Sequence, residues 1–496
     1  MSDGFRVPAG EALPYTAAGQ GRRLRIWRTP NSGPNASLSG LGIVRSRARS
    51  AARNDPWAGA ALDKSVANGI GVGIQAKPLG GTDAERADLK ALWRQSLGEL
   101  DADGVLDLYG LQALAWREWR EAGEVFARIR YRRQSDGLRV PVQVQLIEAE
   151  QCPHDHYAQA PNGNQIRAGV EFDRIGRRTA YWMYRAHPGE IYTGIVNAAE
   201  LVRIPAEEVI HLYRPLRAGQ IRGVPDAAAV LVRMFQLDRL DDKVLERQNI
   251  ANLFTGWYVS KSEASDDAGV TAGMVTEEDE DGTPLAGMEP GTMQELPPGV
   301  EPKFSNPPGP GDTYAEFVRG HLMAIAARHG VPYEVLTGDL RDVSDRSLRL
   351  ILNEFRRAIE MDQWLYMIPM FCTRVRAAWL DQAVLSGAIQ LPGYAERRAE
   401  LTDTLWVPQG WPYSHPVQDV DADIKAIRSG LTSRGDVVMS NGDDVEEIDA
   451  EQAEDNARAD RLGLVYDSDG RRKRGEGAQD KAAPTSDATP TNDKGS

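Results

Sequence analysis

The chain has 496 residues, of which 41% are hydrophobic and 26% charged, ordinary for a soluble protein and too long for a single core. A formal net charge of −14 argues against tight nucleic-acid binding over the whole surface. No apolar run reaches the roughly 18 residues of a membrane span, and Cys152 and Cys372 give no disulfide framework, which suits synthesis in a reducing cytoplasm.

Residues 1–39 are rich in Gly, Pro, Asn and Ser and read as an extended arm. The first 60 residues are basic, with Arg22, Arg23, Arg25, Arg28, Arg45, Arg47, Arg49 and Arg53. From Leu41 a helical face forms from Ile43, Val44, Ala48, Ala51 and Ala52, and Asn54-Asp-Pro56 breaks it. Pro56 opens a second helix, closed by Asn68-Gly69. Gly71-x-Gly73-x-x-Ala76 formally matches a dinucleotide fingerprint, but a helix precedes it and Pro78 follows, so it reads as a turn into a strand. Helices are expected over 82–100 and 103–122. At Glu124 the period changes to two, and strands over 125–131, 140–147, 170–172, 180–184 and 201–204 predict a small antiparallel sheet, with 207–212 at its edge.

A strong helix follows over 226–254, carrying Val230, Met234, Leu237 and Val244. Residues 255–311 form an acidic, Pro- and Gly-rich insertion with a strand near Trp257-Tyr-Val259 and the run Glu277, Glu278, Asp279, Glu280, Asp281. The next helix opens with a capping box, Thr313 to Glu316, with Asp312 as a competing cap, and stops at Gly330-Val-Pro332. A polar loop over 337–344 leads into a helical pattern running to Ser386, on the order of 40 residues and about 60 Å. Pro369 lies inside it and should kink it rather than end it. An aromatic, Pro-rich connection, short acidic helices near 420–429, 432–439 and 445–462, and a tail from Asp467 expected to be disordered complete the chain.

Catalytic signatures are weak. Cys152-Pro-His154-Asp-His156 offers three potential metal ligands, but no second Cys or His cluster completes a site, so a polar loop is the better reading. Gly59-Ala-Ala-Leu-Asp-Lys64-Ser65 lacks the second glycine of a phosphate loop and lies inside a helix. No Gly-x-Ser-x-Gly or His-Glu-x-x-His occurs. Neither a cofactor nor a catalytic residue is assigned.

The order of features resembles one family, the lambda-type portal proteins of tailed bacteriophages. The resemblance runs from about residue 22 to 464. It rests on Arg22-Arg-Leu-Arg-Ile-Trp27, Asn31 to Asn35, Arg47-Ala-Arg49, Arg53-Asn-Asp-Pro-Trp57, Asn68-Gly-Ile-Gly-Val-Gly-Ile74, Gln145-Leu-Ile-Glu148, Gly169-Val-Glu171, Tyr181-Trp182, His187-Pro-Gly189, Val209-Ile-His211 and Arg222-Gly-Val-Pro225. No single piece is as specific as a metal signature; their joint order is.

The resemblance implies a helix-rich α+β fold built into a homo-oligomeric ring of about twelve subunits with a central channel. The family's parts would fall as an N-terminal arm over 1–40, a wing over 41–225 and a first stem helix over 226–254. A clip would cover 255–311, a second stem helix 312–336 and a channel loop 337–345. A long kinked helix with further wing would span 346–411, a crown 412–466, and a disordered tail 467–496. It implies passage of double-stranded DNA without sequence preference, and docking of the terminase large subunit, capsid and scaffolding proteins and head–tail connectors, in a virion assembled in the host cytoplasm. Asp339, Arg341, Asp342, Asp345 and Arg346 would face the DNA, the acidic ones centring it by repulsion and the arginines making sparse phosphate contacts; pairing of these charges with neighbouring subunits is the competing reading. The run from Glu277 to Asp281 lies where the clip would meet its partners, and Pro369 marks the bend. Another head–tail adaptor or a packaging enzyme are the alternatives.

Overall fold

The computed structural model describes residues 32–190, 200–253, 256–260, 277–278, 284–285, 300–304, 313–341, 343–413, 415–466 and 471. Most of the expected arm and tail therefore lies outside the described residues. Two compact units emerge, one from 1–72 with 80–403 and one from 73–79 with 404–496. The architecture is helix-rich α+β.

In the first unit, α1 (Leu41–Asn54) and α2 (Pro56–Gly69) meet at Asp55, whose carboxylate accepts from the N–H groups of Trp57 and Ala58 while Pro56 takes the first helical position. After β1 (Gln75–Pro78), which belongs to the second unit, α3 (Asp83–Ser96) opens with a capping box between Thr82 and Glu85. α4 (Leu108–Ala122) begins five residues later than the periodicity predicts. The backbone N–H groups of Asp103, Val105 and Leu106 all donate to the Asp101 carboxylate, so the chain wraps that side chain before Asp107 caps the helix.

The expected single sheet is two. β2 (Glu124–Tyr131) lies between β3 (Val142–Ile147) and β9 (Val209–Tyr213). The intervening strands, β4 (Ala158–Gln159), β5 (Gln165–Arg167), β6 (Val170–Phe172), β7 (Arg178–Tyr184) and β8 (Leu201–Pro205), form an antiparallel meander. β9 is an edge strand, as expected, and it pairs with β2, Phe126 opposite His211. Both sheets bury one core, in which Phe126, Ile147 and Val209 join Val170, Phe172, Tyr181, Met183 and Ile204, with Leu38 and Leu41.

A 3-10 turn, Asp226–Ala229, leads into α5 (Leu231–Leu253). The backbone then pairs β10 (Gly256–Ser260) with β13 (Val300–Phe304), and β11 (Glu277–Glu278) with β12 (Pro284–Leu285), before α6 (Tyr314–His329) returns. α5 and α6 share a second core of Val230, Met234, Leu237, Leu322 and Ile325, closed by Ala58 of α2. Thr313 has helical dihedrals and makes no side-chain cap bond, so the expected capping box does not form; Asp312 lies outside the described residues. α6 stops at Gly330, as expected, at φ 69°, where Gly330 and Val331 return hydrogen bonds to Ala326. A short helix, α7 (Tyr333–Thr337), follows.

The long helix has three parts: α8 (Asp345–Asp362), a π-helical stretch Gln363–Cys372, and α9 (Thr373–Leu385). Pro369 sits in the π-helical stretch, and the Thr373 N–H bonds to Ile368 O, five residues back. The wider turn accommodates a residue that cannot donate to an α-helical ladder. α9 buries Val375, Trp379, Leu380 and Ala383, with Trp379 edge-on to Trp93 at 4.8 Å. α10 (Tyr394–Leu401) ends the unit.

In the second unit β1 pairs antiparallel with β14 (Thr404–Val407), Gln75 opposite Val407. Residues 73–79 thus fall in the same compact unit as residues 404–496. Lys77 Nζ reaches Asp444 at 2.9 Å, and α11 (Pro416–Arg428), α12 (Arg434–Ser440) and α13 (Val445–Leu462) follow near the expected positions.

Candidate functional site: the 337–346 loop and its buried supports

Gly338, at φ 71°, ends α7 and turns the chain into the loop. Thr337 Oγ1 donates to Tyr333 O at 2.8 Å and accepts from the Asp339 N–H at 3.2 Å. The Asp339 carboxylate accepts from the Tyr333 hydroxyl at 3.0 Å, and from Arg341 Nε and Nη2 at 2.8 and 2.9 Å. This fork holds the Asp339 carboxyl well below the usual carboxylate range. Asp339 is 12% exposed at its side chain and Arg341 78%. The Asp339 carboxylate is thus paired within its own turn, and the guanidinium is the more exposed partner.

Ser344 caps α8 through the Ser347 N–H, Asp345 pairs with Arg349 at 3.2 Å, and Arg346 is exposed. Asp342 lies outside the described residues, as do Asp279, Glu280 and Asp281; Glu277 and Glu278 form β11.

Behind the loop, the far end of α8 is tied down by a node that sequence periodicity did not reveal. Arg120 on α4 pairs with Asp226 at 3.0 Å and with Asp362, and Arg214 approaches the other Asp362 oxygen at 3.6 Å. The Arg120 guanidinium lies over both Trp116 and Trp119, and Gln363 Nε2 donates to Gly69 O at 2.7 Å. Gly69 is required there, since a Cβ would meet the Trp116 ring at 2.4 Å.

A second buried network gathers several of the short sequence motifs. Glu124 accepts from Arg45 Nη2 and Arg222 Nε, each at 2.7 Å, and from the Gly223 N–H at 2.8 Å. Arg222 also donates to the carbonyls of Cys152, Ala168 and Ala149. His211 Nδ1 faces Arg178 Nη1 at 2.8 Å and Nε2 faces Glu124 at 2.9 Å. A guanidinium can only donate, so Nδ1 accepts and Nε2 carries the proton toward Glu124. Burial pushes the neutral His211 imidazole down to about 4. Burial alone would raise the Glu124 carboxyl, but Arg222 and Arg45 outweigh it and hold it well below its ordinary value. Gly223 and Gly123 lie back to back, with 1.9 Å left between a Cβ on Gly223 and Gly123 O. On the meander, Glu171 gathers Arg203, Asn162, Asn164 and Trp182, and these donors, Arg203 foremost, bring its carboxyl down to about 2.

The Cys152, His154 and His156 side chains are used separately. Cys152 is buried beside Arg222 and its thiol is pushed up to about 11 by that burial, while the His156 ring lies 6.0 Å from Trp182. A different grouping forms among the described residues, Glu148, Glu150 and His187. Arg49 fills it, contacting Glu150 at 2.9 Å and Glu118 at 2.8 Å. His187 Nδ1 accepts from the Gly189 N–H, which leaves the Nε2 proton facing Glu148 at 3.0 Å. That arrangement is an ion-pair cluster. No described helix is long and apolar enough to cross a membrane.

Comparison with known proteins places this architecture. Residues 20–363 match the phage portal protein family, lambda family, and the chain belongs to that family. It is accordingly a structural, non-enzymatic virion component of tailed phages. Among similar proteins, a probable portal protein of Halomonas phage phiHAP-1 is 27% identical over 437 residues, covering 85% of this chain and 81% of the relative. The portal protein of Escherichia phage N15 is 22% identical over 60% of each chain. Portal protein B of Escherichia phage lambda is 22% identical over 61% of this chain and 60% of the relative. Among solved structures, the neck of a native gene transfer agent particle, computed with C12 symmetry, aligns at a TM-score of 0.41 with 14% identity, covering 84% of this chain and 95% of that one.

Proposed function

We propose that this portal protein assembles as a ring of about twelve subunits closed by a heterologous interface, through whose channel double-stranded DNA enters and leaves the capsid. The observation that carries the reading is the family match, which runs through α5, α6, the 337–346 loop and α8. On this reading residues 41–225 act as wing and α5 and α6 as stem. Residues 255–311 act as clip, the 337–346 loop lines the channel, and 412–466 act as crown. The π-helical stretch with Pro369 is the bend between channel loop and wing.

Arg341 and Arg346 then offer the loop's outward positive charge, with Asp339, Asp342 and Asp345 limiting how tightly phosphates are held. A wall that bound every phosphate would arrest the duplex, because each neutralised phosphate adds salt-dependent affinity. The acidic segment of Glu277, Glu278, Asp279, Glu280 and Asp281 would face the terminase large subunit during packaging and head–tail connectors afterwards, with capsid and scaffolding proteins around the wing.

Electron microscopy of the purified full-length protein tests the proposal. Rings with a hole wide enough for a duplex, about 20 Å or more, are expected; monodisperse monomers under all assembly conditions would refute it.

A further inference from the structure

Where α6 ends, the protein holds an open cavity of about 260 Å³ lined by Arg120, Arg214, Arg328, His329, Asp226 and Asp362 among others. Three guanidinium groups against two carboxylates leave one positive charge on its wall. Both carboxylates are already engaged, Asp226 by Arg120, and Asp362 by Arg120 and Arg214. His329 is 7% exposed, lines the cavity, and its Nε2 has no hydrogen-bond partner; Arg120 Nε is likewise buried and unpartnered. One acceptor, Asp362 Oδ1, also lacks a hydrogen bond, but Arg214 stands 3.6 Å from it.

We propose that this cavity binds a phosphate-class oxyanion, held by Arg328 and His329 of α6 and by the unspent donors of Arg120 and Arg214. A tetrahedral oxyanion has several acceptor atoms and no need of a donor, which matches a wall whose spare groups are mostly N–H. Arg328 and His329 terminate one long helix, and Asp362 terminates another on which Arg120 and Arg214 converge. A bound oxyanion would therefore add a crosslink between the ends of α6 and α8. This site does not depend on ring formation and is assigned apart from the channel loop.

Binding carries a protonation signature. Burial lowers the His329 pKa, with Arg328 and Arg120 acting in the same direction and Asp226 and Asp55 opposing it; Asp362 and Arg214 are the other charged groups on the wall. An anion beside the imidazole favours its charged form, so binding near neutral pH draws in a proton.

The test is calorimetry of inorganic phosphate into the full-length protein, in two buffers of different ionisation enthalpy, with chloride at matched ionic strength as control. Saturable phosphate binding with proton uptake is expected. His329→Gln should abolish the uptake while leaving the protein folded, and Arg328→Ala should weaken binding about tenfold, the loss of one charge-assisted hydrogen bond. Phosphate indistinguishable from chloride, or unchanged binding in Arg328→Ala, overturns the site. Adding duplex DNA identifies the source: displacement of phosphate assigns the natural oxyanion to the DNA backbone, and retention assigns it to the free ion, both with the site intact.

Discussion

Two carboxylates in this protein are each forked by arginine, and their surroundings give them opposite roles. Glu124 and its partners Arg45, Arg222 and His211 are almost wholly removed from water, none more than 3% exposed at the side chain. Asp339 is paired inside a turn whose guanidinium is 78% exposed. In the first case desolvation makes every missing partner expensive, so the network specifies how α1, β2, β9 and the 214–225 segment fit together. In the second, water screens the pair and the fork shapes a loop without holding the fold. The same chemistry acts as a keystone when buried and as a surface adjustment when exposed.

The comparison breaks most readily at Glu124. Glu124→Ala strands two buried guanidinium groups and should cost about 3–5 kcal/mol in urea unfolding; a loss below about 1 kcal/mol would remove the distinction drawn above. Next comes pH. His211 titrates near 4 when folded but near its ordinary 6.5 when unfolded. The unfolded state therefore binds the extra proton, and stability is complete above about 6.5 and falls as pH drops toward 4, by about 3 kcal/mol in all. His211→Gln should flatten that part of the stability profile. Glu124 adds its own loss only at lower pH, since its folded pKa lies well below the ordinary value. Gly223→Ala would drive a Cβ into a backbone carbonyl 1.9 Å away and should cost about 1–3 kcal/mol, read from the shift in urea midpoint at unchanged slope.

The smallest stability effect belongs to the loop. Asp339→Ala should leave the unfolding midpoint unmoved yet remove one acidic partner of Arg341. Duplex binding by the assembled protein should then tighten, with the slope of log affinity against log salt steeper by about 0.9 for each phosphate newly engaged. An unchanged slope would place Arg341 away from DNA.

Much of the fold was legible in the chain. Helical periodicity placed α1, α2, α5, α6 and α13, the Asn54-Asp-Pro56 break matches the Asp55 cap, and Gly330 stops α6 as its position suggests. The motifs containing His211 and Arg222 marked residues that matter, but not why. Their common acceptor, Glu124, is 87 positions from His211 and 98 from Arg222. At Asp339 the sequence showed the charge, while the fork from Arg341 that neutralises it and the hydrogen bond from Tyr333 depended on the turn geometry.

What the sequence determined by itself is what physics decides within one or two turns of backbone: period, caps, glycine stops and the polarity of each face. The tertiary structure alone decided that the strands divide into two sheets, that β1 pairs with β14, and that Arg120 links Asp226 to Asp362. It also decided that Pro369 sits in a π-helical turn. Each of these depends on groups far apart in the chain being taken out of water together, and the cost of an unpaired buried donor, acceptor or charge selects among arrangements that local preference leaves equal.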